Sequence, residues 1–494
     1  MVPDPDQPNL LRGRSDIFCY APNAGDSMLR HMRQYCGGNL YSVDKGIDPS
    51  ASAITQHLQR LINRYEEDIV ALINNPNPYR GVWSMSIAGD PESVTLLELL
   101  LAEERATPLY EALAASPGER GMRGCLVTTP QSGRSLQEAS IPRGLLQACV
   151  SHSLIHGQVP TAAAMREHAP AAIESFLDLT SGERTEVPAA VGAVGSRLET
   201  ASQGGRGAAS PPDRIRVGDG YVRQTTELDH HLFTTTLGQL GLVWVTHDFT
   251  QAKFFPDSSD PSNLPDEAFT FDGTDKRAQP TLQERWDAVA QAVVLSATIF
   301  PPPAWTASAF NVASPLTPSE HSPHTGGVSQ WQSQLRSTSS ADFGDVERWH
   351  QLISQTPAAL EVSRRRVVSA LASRSDPLDA LVDAVVAWES IFSGAPETQM
   401  RTVLPSCKLL STEDDSAKLL TSMKRVYRMR SDLVHGKQSK ASQNDVLEAR
   451  DDALRWVLRL LQLIYSEMPH LLNLNAAQRS DLILVPGSHF AERQ

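Results

Sequence analysis

The sequence predicts a multi-domain, mainly α protein in which an antiparallel helical bundle at the C-terminal end follows a mixed α+β N-terminal region. Three observations carry this. The chain has 494 residues, enough for about three domains at roughly 150 residues each, every one able to bury its own core. Four segments of the last third, "VERWHQLISQTPAALEVSRRRVVSALA", "DPLDALVDAVVAWESIF", "SAKLLTSMKRVYRMRSDLVH" and "NDVLEARDDALRWVLRLLQLIYSEM", each repeat apolar residues at helical period. Two stretches poor in large apolar residues, one rich in Gly, Ala and Ser and one in Pro, Ser and Thr, punctuate the chain between candidate domains.

Residues 1–186 read as a mainly helical domain of unassigned type. Within them Ile54, Leu58, Leu61, Ile62, Ile69 and Ile73 recur at spacings of three and four, and "PESVTLLELLLAEE" follows a Pro-rich turn, so 50–115 is expected to be helical. "NNPNPYRGVWSMSIAG" between the two reads as a loop and a short strand. Residues 187–213 are expected to be a flexible linker, because small side chains offset little of the entropy of ordering. Residues 214–300 read as a small mixed segment with strands, rich in Val, Thr, Phe and Trp and broken by Gly. Residues 301–345 form a Pro/Ser/Thr-rich connection, 346–470 the helical bundle and 471–494 a C-terminal tail. In the bundle, Asp376 before Pro377 is a helix start, Ser442 with Asp445 resembles a capping box, and Gly436 suits a helix end. No internal repeat is visible.

Composition removes several functional classes. No run of about 18 apolar residues occurs, so no membrane span is expected. The opening "MVPDPDQPNLLRGRSD" lacks the basic start and apolar run of a secretory signal, which places the expected protein in the cytoplasm. The five cysteines, Cys19, Cys36, Cys125, Cys149 and Cys407, are scattered without a C-x-x-C pair, against a disulfide framework or a thiolate zinc site. A formal net charge of -13 argues against a protein that coats nucleic acid nonspecifically.

Against that acidic background, 418–440 gathers Lys418, Lys424, Arg425, Arg428, Arg430, Lys437 and Lys440 around one histidine, His435, with Asp432 the single acid. Leu419, Met423, Val426 and Tyr427 form the apolar stripe expected to face the core, which leaves the charged residues for chemistry or for solvent. At a helix C-terminus the dipole favours a protonated imidazole, so His435 suits a general acid or base. Arg430 precedes it by about 7.5 Å of helix rise, and Arg428 by nearly two turns, a closer match in helical face. A guanidinium beside such a histidine fits phosphodiester cleavage: it grips phosphate while the histidine deprotonates an attacking hydroxyl, which RNA itself supplies. The bland reading is a solvated basic helix end. Glu389 falls within the stripe Leu378, Leu381, Val382, Val385, Trp388 and Phe392, and a carboxylate there needs a cation, for which Arg430 or Arg428 is the natural partner. A bundle-stabilising ion pair and an orienting role for the arginine both fit.

"VYRMRSDLVHGK" after an "AWESIF" helix resembles the HEPN domain in its Apea-like form, over about 346–470. The family signature is an arginine, four to six residues and a histidine. Arg430 and His435 meet it with four between, Ser431 matches the polar residue after the arginine, and Tyr427, Val434 and Gly436 complete the context. Arg428 meets it with six. The resemblance implies a metal-independent endoribonuclease that needs no cofactor, acts as a homodimer across a shared cleft, and cuts RNA, tRNA among the candidates, to a 2′,3′-cyclic phosphate and a 5′-hydroxyl. Arg430 and His435 would be catalytic; Glu389, Ser431, Arg428 and Tyr427 would support them; Lys424, Arg425, Lys437 and Lys440 would bind RNA. Such proteins are toxins or effectors of bacterial antiviral defence by abortive infection, with the N-terminal region sensing a trigger that the sequence does not name. The alternative is a catalytically inactive helical module for dimerisation or RNA binding, serving as sensor or scaffold.

Rival motifs are weaker. Asp229, His230 and His231 with His247 and Asp248 invite comparison with two-metal phosphoesterases, yet the further aspartates that chemistry needs are missing. His152 and His156 lie one turn apart without the glutamate of H-E-x-x-H or an evident third ligand. The glycines of "SQGGRGAAS" follow no expected strand and lack the P-loop lysine.

Overall fold

The structure, a computed structural model, describes residues 44–74, 87, 89–116, 123–130, 133–195, 197–198, 214–233, 240–257, 280–316, 337–338, 344–356, 358–374, 376–393, 398–412, 415–435 and 441–485. In chain order its elements begin with α1 (Ala53–Asn74), α2 (Pro91–Leu101), α3 (Thr107–Ala115), β1 (Gly124–Thr128), β2 (Gly133–Gln137), α4 (Ile141–Ile155) and α5 (Ala162–Thr180). There follow β3 (Thr185–Gly195), β4 (Arg197–Leu198), β5 (Ile215–Val217), β6 (Gly220–Gln224), α6 (Asp229–Leu232), β7 (Leu240–Thr250), β8 (Lys253–Pro256), α7 (Leu282–Ser296), β9 (Trp305–Val312) and β10 (Ser337–Thr338). The last part is helical: α8 (Val346–Gln355), α9 (Glu361–Ala372), α10 (Pro377–Phe392), α11 (Thr398–Leu410), α12 (Ser416–Val434), α13 (Gln443–Ser466) and α14 (Ala476–Leu484). The protein is mainly helical, with small sheets of largely antiparallel pairing. Among the described residues no helix is long and apolar enough to cross a membrane.

Two compact units share the chain. One comprises residues 1–188, 248–276 and 311–320; the other comprises 189–247, 277–310 and 321–494. In the first, α1 buries Ile54, Leu58, Leu61, Ile62, Tyr65 and Ile69 against α2, α4 and α5. Asp90 starts α2 by accepting from the Glu92 amide, and its other oxygen takes Arg64 of α1 at 2.8 Å. A carboxylate at that N-terminus serves cap and ion pair together. A three-stranded antiparallel sheet in the order β2-β1-β8 completes the described part of this unit. Among the described residues its thiols are Cys125 and Cys149, free and buried, and burial pushes both up to about 12.

In the second unit, β7 buries Leu242, Val243, Trp244, Val245 and Thr246 in succession, the pattern of a strand covered on both faces. It pairs antiparallel with β6 in the sheet order β5-β6-β7-β3-β9. At the start of β6 a Cβ on Gly220 would stand 2.1 Å from the Val245 carbonyl oxygen, so only glycine admits this pairing.

The helices of this unit gather around α10, which packs against α9, α11, α12, α13 and α14. Ala380, Leu381, Ala384, Val385, Ala387, Trp388, Ile391 and Phe392 are fully or almost fully buried. Trp388 donates its indole N–H to Ser406 Oγ of α11 at 2.7 Å and lies beside the rings of Trp456 and Tyr427. The Ser406 hydroxyl passes the bond on to the Thr402 carbonyl. The buried carboxylate of Asp383 accepts from Arg366 at 2.7 Å, Ser369 at 2.8 Å and Arg374 at 2.6 Å.

Several expectations change. Residues 187–195 are not linker but most of β3, with Val187, Ala189, Ala190, Val191 and Ala193 buried; small side chains suit a strand with neighbours on either side as well as they suit a flexible segment. Residues 199–213 lie outside the described residues. The 301–345 connection contains β9, whose Trp305 is buried, and the tail contains α14, started by an Asn475/Gln478 capping box. The first of the four helical segments is two helices, α8 and α9, separated where Leu360 adopts φ 54 in the left-handed region. Helix α11, with Pro405 inside it, lies between two of the expected helices. The α10 stripe also starts later than read, for Leu378 is exposed and Val382 only half-buried. The expected strand within "NNPNPYRGVWSMSIAG" falls almost wholly outside the described residues.

Replacing Asp383 by alanine leaves Arg366 and Arg374 facing each other without their shared carboxylate. The expected loss is about 2 kcal/mol of stability, read from the midpoint of urea unfolding at pH 7.

Candidate functional site

Helix α12 runs to Val434, and His435 is its C-cap, with φ -86, ψ 9 and its amide donating to the Ser431 carbonyl at 3.1 Å. Of the expected core stripe, Met423 and Val426 are buried, while Leu419 and Tyr427 are half-buried. The helix therefore lies on the bundle along a narrow line. Ser431 is half-buried, the His435 ring is exposed, and that ring has no hydrogen-bond partner among the described residues. Gly436, Lys437 and Lys440 lie outside the described residues.

The carboxylate at the centre of the site comes from α10. Glu389 accepts the Tyr427 hydroxyl on Oε1 at 2.5 Å and the Arg430 guanidinium on Oε2 at 3.3 Å. Glu389 and Arg430 keep 16% and 22% of their side-chain surface, enough to meet a ligand without leaving the pair. The other donor of interest, Arg430 Nε, is buried and makes no hydrogen bond. Burial first, and then the Glu389 carboxylate, holds the Tyr427 phenol well above its ordinary value, so Tyr427 stays a donor at any ordinary pH. Between Arg430 and Arg428 the structure thus distinguishes clearly: Arg430 is the partner of Glu389, and Arg428 is exposed. It brings Glu389, Tyr427 and Arg430 together, and leaves His435 one helix turn beyond them, at the end of α12.

The cationic patch is not isolated. Lys418, Lys424, Arg425 and Arg428 are all exposed, but Arg425 faces acidic residues of α13. It acts on Asp445, whose carboxyl the Ser442 hydroxyl and amide hold below its usual range, and on Asp452, which burial pushes up. Arg425 is thus partly neutralised from a helix that lies further along the chain, a pairing invisible to any count over 418–440.

The rival motifs resolve differently. Asp229 is fully buried and saturated: Arg223 donates to it at 2.7 and 2.9 Å, and the Thr226 amide and hydroxyl add two more bonds. A carboxylate committed in this way ties the turn between β6 and α6. The side chains of His230 and His231 lie outside those described. His152 and His156 have rings 5.1 Å apart, and a third histidine that the sequence reading missed, His168 of α5, stacks on His152 at 3.9 Å. Its signal was absent because the partner sits on another helix. Among the described residues no group of three His, Cys, Asp or Glu side chains could hold a metal ion.

Compared with known proteins, the chain matches no family model, no curated protein and no solved structure. The site is therefore read from its own residues.

Because Tyr427 and Arg430 share one carboxylate, Tyr427→Phe and Glu389→Gln are expected to destabilise the protein less together than the sum of each alone. A double-mutant cycle in urea should give a coupling of about 1 kcal/mol; additive losses would mean that the 2.5 Å contact contributes nothing.

Proposed function

We propose that this protein is a metal-independent endoribonuclease of the HEPN type, in which Arg430 and His435 act on the scissile phosphodiester. The observation that carries the reading is the end of α12: an arginine anchored by a carboxylate, with a buried Nε that has no partner, and an exposed histidine where the helix stops. In the reaction, His435 takes the proton of the ribose 2′-hydroxyl, the 2′-oxygen attacks phosphorus, and the P–O5′ bond breaks as the imidazolium of His435, directly or through a water, returns that proton to the departing 5′-oxygen, giving a 2′,3′-cyclic phosphate and a 5′-hydroxyl. Arg430 stabilises the charge that gathers on the phosphoryl oxygens. Glu389, braced by Tyr427, keeps the guanidinium directed, and Ser431 ties His435 to the last turn. Lys424, Arg428 and the less available Arg425, with Lys437 and Lys440, supply phosphate contacts. The protein acts as a homodimer on RNA, in antiviral defence by abortive infection or in a toxin system.

A second reading, a catalytically inactive module for docking to a protein partner, draws on a different observation. Val434 is 53% exposed, and Met429 and Leu433 beside it are half-buried, so the same helix end offers apolar surface. Exposure of His435, in place of packing against apolar neighbours, favours the enzyme.

The deciding experiment incubates the full chain with total cellular RNA and with tRNA in EDTA. His435→Ala is expected to slow cleavage by about 10²- to 10⁴-fold, and Arg430→Lys also to fail, since an ammonium cannot reproduce the planar fork. Products from the wild type should carry cyclic phosphate ends. Cleavage that survives His435→Ala, or that stops when metal is chelated, would overturn the proposal; no cleavage by any form favours the docking module.

A further inference from the structure

The histidine cluster of the first unit belongs to no part of the proposed ribonuclease site. His152 lies near the end of α4, His156 is its C-cap and His168 is on α5; the rings of His152 and His168 stack at 3.9 Å with 20° between planes, and His156 stands 5.1 and 6.2 Å from the two. Nε2 of His168 is buried and accepts or donates no hydrogen bond. A neutral imidazole tolerates this by carrying its proton on Nδ1 and leaving Nε2 as a bare lone pair. An imidazolium cannot, because both nitrogens then carry N–H and one points where no acceptor exists. Burial accordingly lowers His168 below the ordinary imidazole value, against a smaller opposing effect of Glu167.

Among the described residues Glu167 is the acid that acts on His168, and the buried Asp68 of α1, like His152 and His156, is engaged in contacts of its own. Glu66 of α1 is taken by the Ala162 amide at 2.6 Å, Arg166 of α5 by Asn63, and Arg105 by Glu174 and Asp178. Helix α4 carries no Asp, Glu, Lys or Arg from Gly144 to Ile155. We infer that the His152–His156–His168 stack is an acid-sensitive latch between α4 and α5, closed while His168 is neutral and released when the ring must take a proton. The sign follows from the preference of His168 for the neutral ring. Above pH 6.5 the folded and unfolded chains are both neutral at this site and the latch costs nothing. As pH falls below 6.5 the unfolded chain takes up a proton that the folded chain refuses, and stability is lost until the folded-state value is reached.

The test follows thermal unfolding of the full chain between pH 7.5 and 5.5, wild type beside His168→Phe, which keeps a flat ring to stack and cannot be protonated. The wild type is expected to lose about 2–4 °C more of Tm over that range than the variant. Histidine C2 hydrogen exchange, read by mass spectrometry on the wild-type chain, measures the His168 titration with no variant at all and decides the matter if His168→Phe fails to fold. Parallel Tm profiles, or a His168 ring that titrates at 6.5 or above, overturn the latch.

Discussion

Helix α10 has to be buried on nearly all sides while carrying two carboxylates, and the bundle is arranged around that requirement. A buried carboxylate without a partner costs several kcal/mol, so each acid dictates a neighbour. Asp383, the deeper one, draws Arg366, Ser369 and Arg374 and so sets where α9 ends. Glu389, less than two turns later, draws Tyr427 and Arg430 and so fixes how α12 lies. Between them Trp388, fully buried, adds a third directional demand through its indole N–H to Ser406 of α11. Apolar burial supplies the driving force, but it is non-directional; these polar anchors select one arrangement of the helices.

The two carboxylates also divide between two kinds of work. Asp383, with its side chain 4% exposed, has all its acceptor capacity turned inward. Glu389 keeps some surface and holds its arginine by a single longer bond. A buried carboxylate whose two oxygens are taken by two arginines and a serine is committed to the fold. One that is half-buried, made by a single 3.3 Å bond, leaves its guanidinium less completely engaged.

Much of this was legible in the residues. Helix periodicity located α1, α10, α12 and α13, and the Asp376–Pro377 and Ser442/Asp445 starts stand where local chemistry put them. The need of Glu389 for a cation pointed to Arg430 or Arg428 because the cost of a buried charge is readable in one dimension, and the fold decides for Arg430. What escaped had causes of its own. Residues 187–195 are small because they form a strand between two others, and composition alone cannot tell that from flexibility. Helix α11 has a proline at its centre, and the pair α8 and α9 hides a left-handed Leu360 that no propensity marks. His168 and the acids facing Arg425 were out of reach because their meaning comes from an adjoining helix.

Helix α7 precedes the expected connection at 301–345, yet its Gln291 accepts from Arg364 of α9 at 2.6 Å, and its Leu295 carbonyl accepts from Gln462 of α13 at 3.0 Å. The same helix packs along α8. The bundle is thus closed by a piece that the chain lays down about fifty residues before the first helix of the bundle, with β9 between them. Such an arrangement constrains inheritance: a recombination event joining a new N-terminal region at residue 345 would carry the Arg430–His435 segment intact but leave α8 and α9 without the surface they rest on. The heritable module, as opposed to the motif-bearing segment, begins upstream of Thr281.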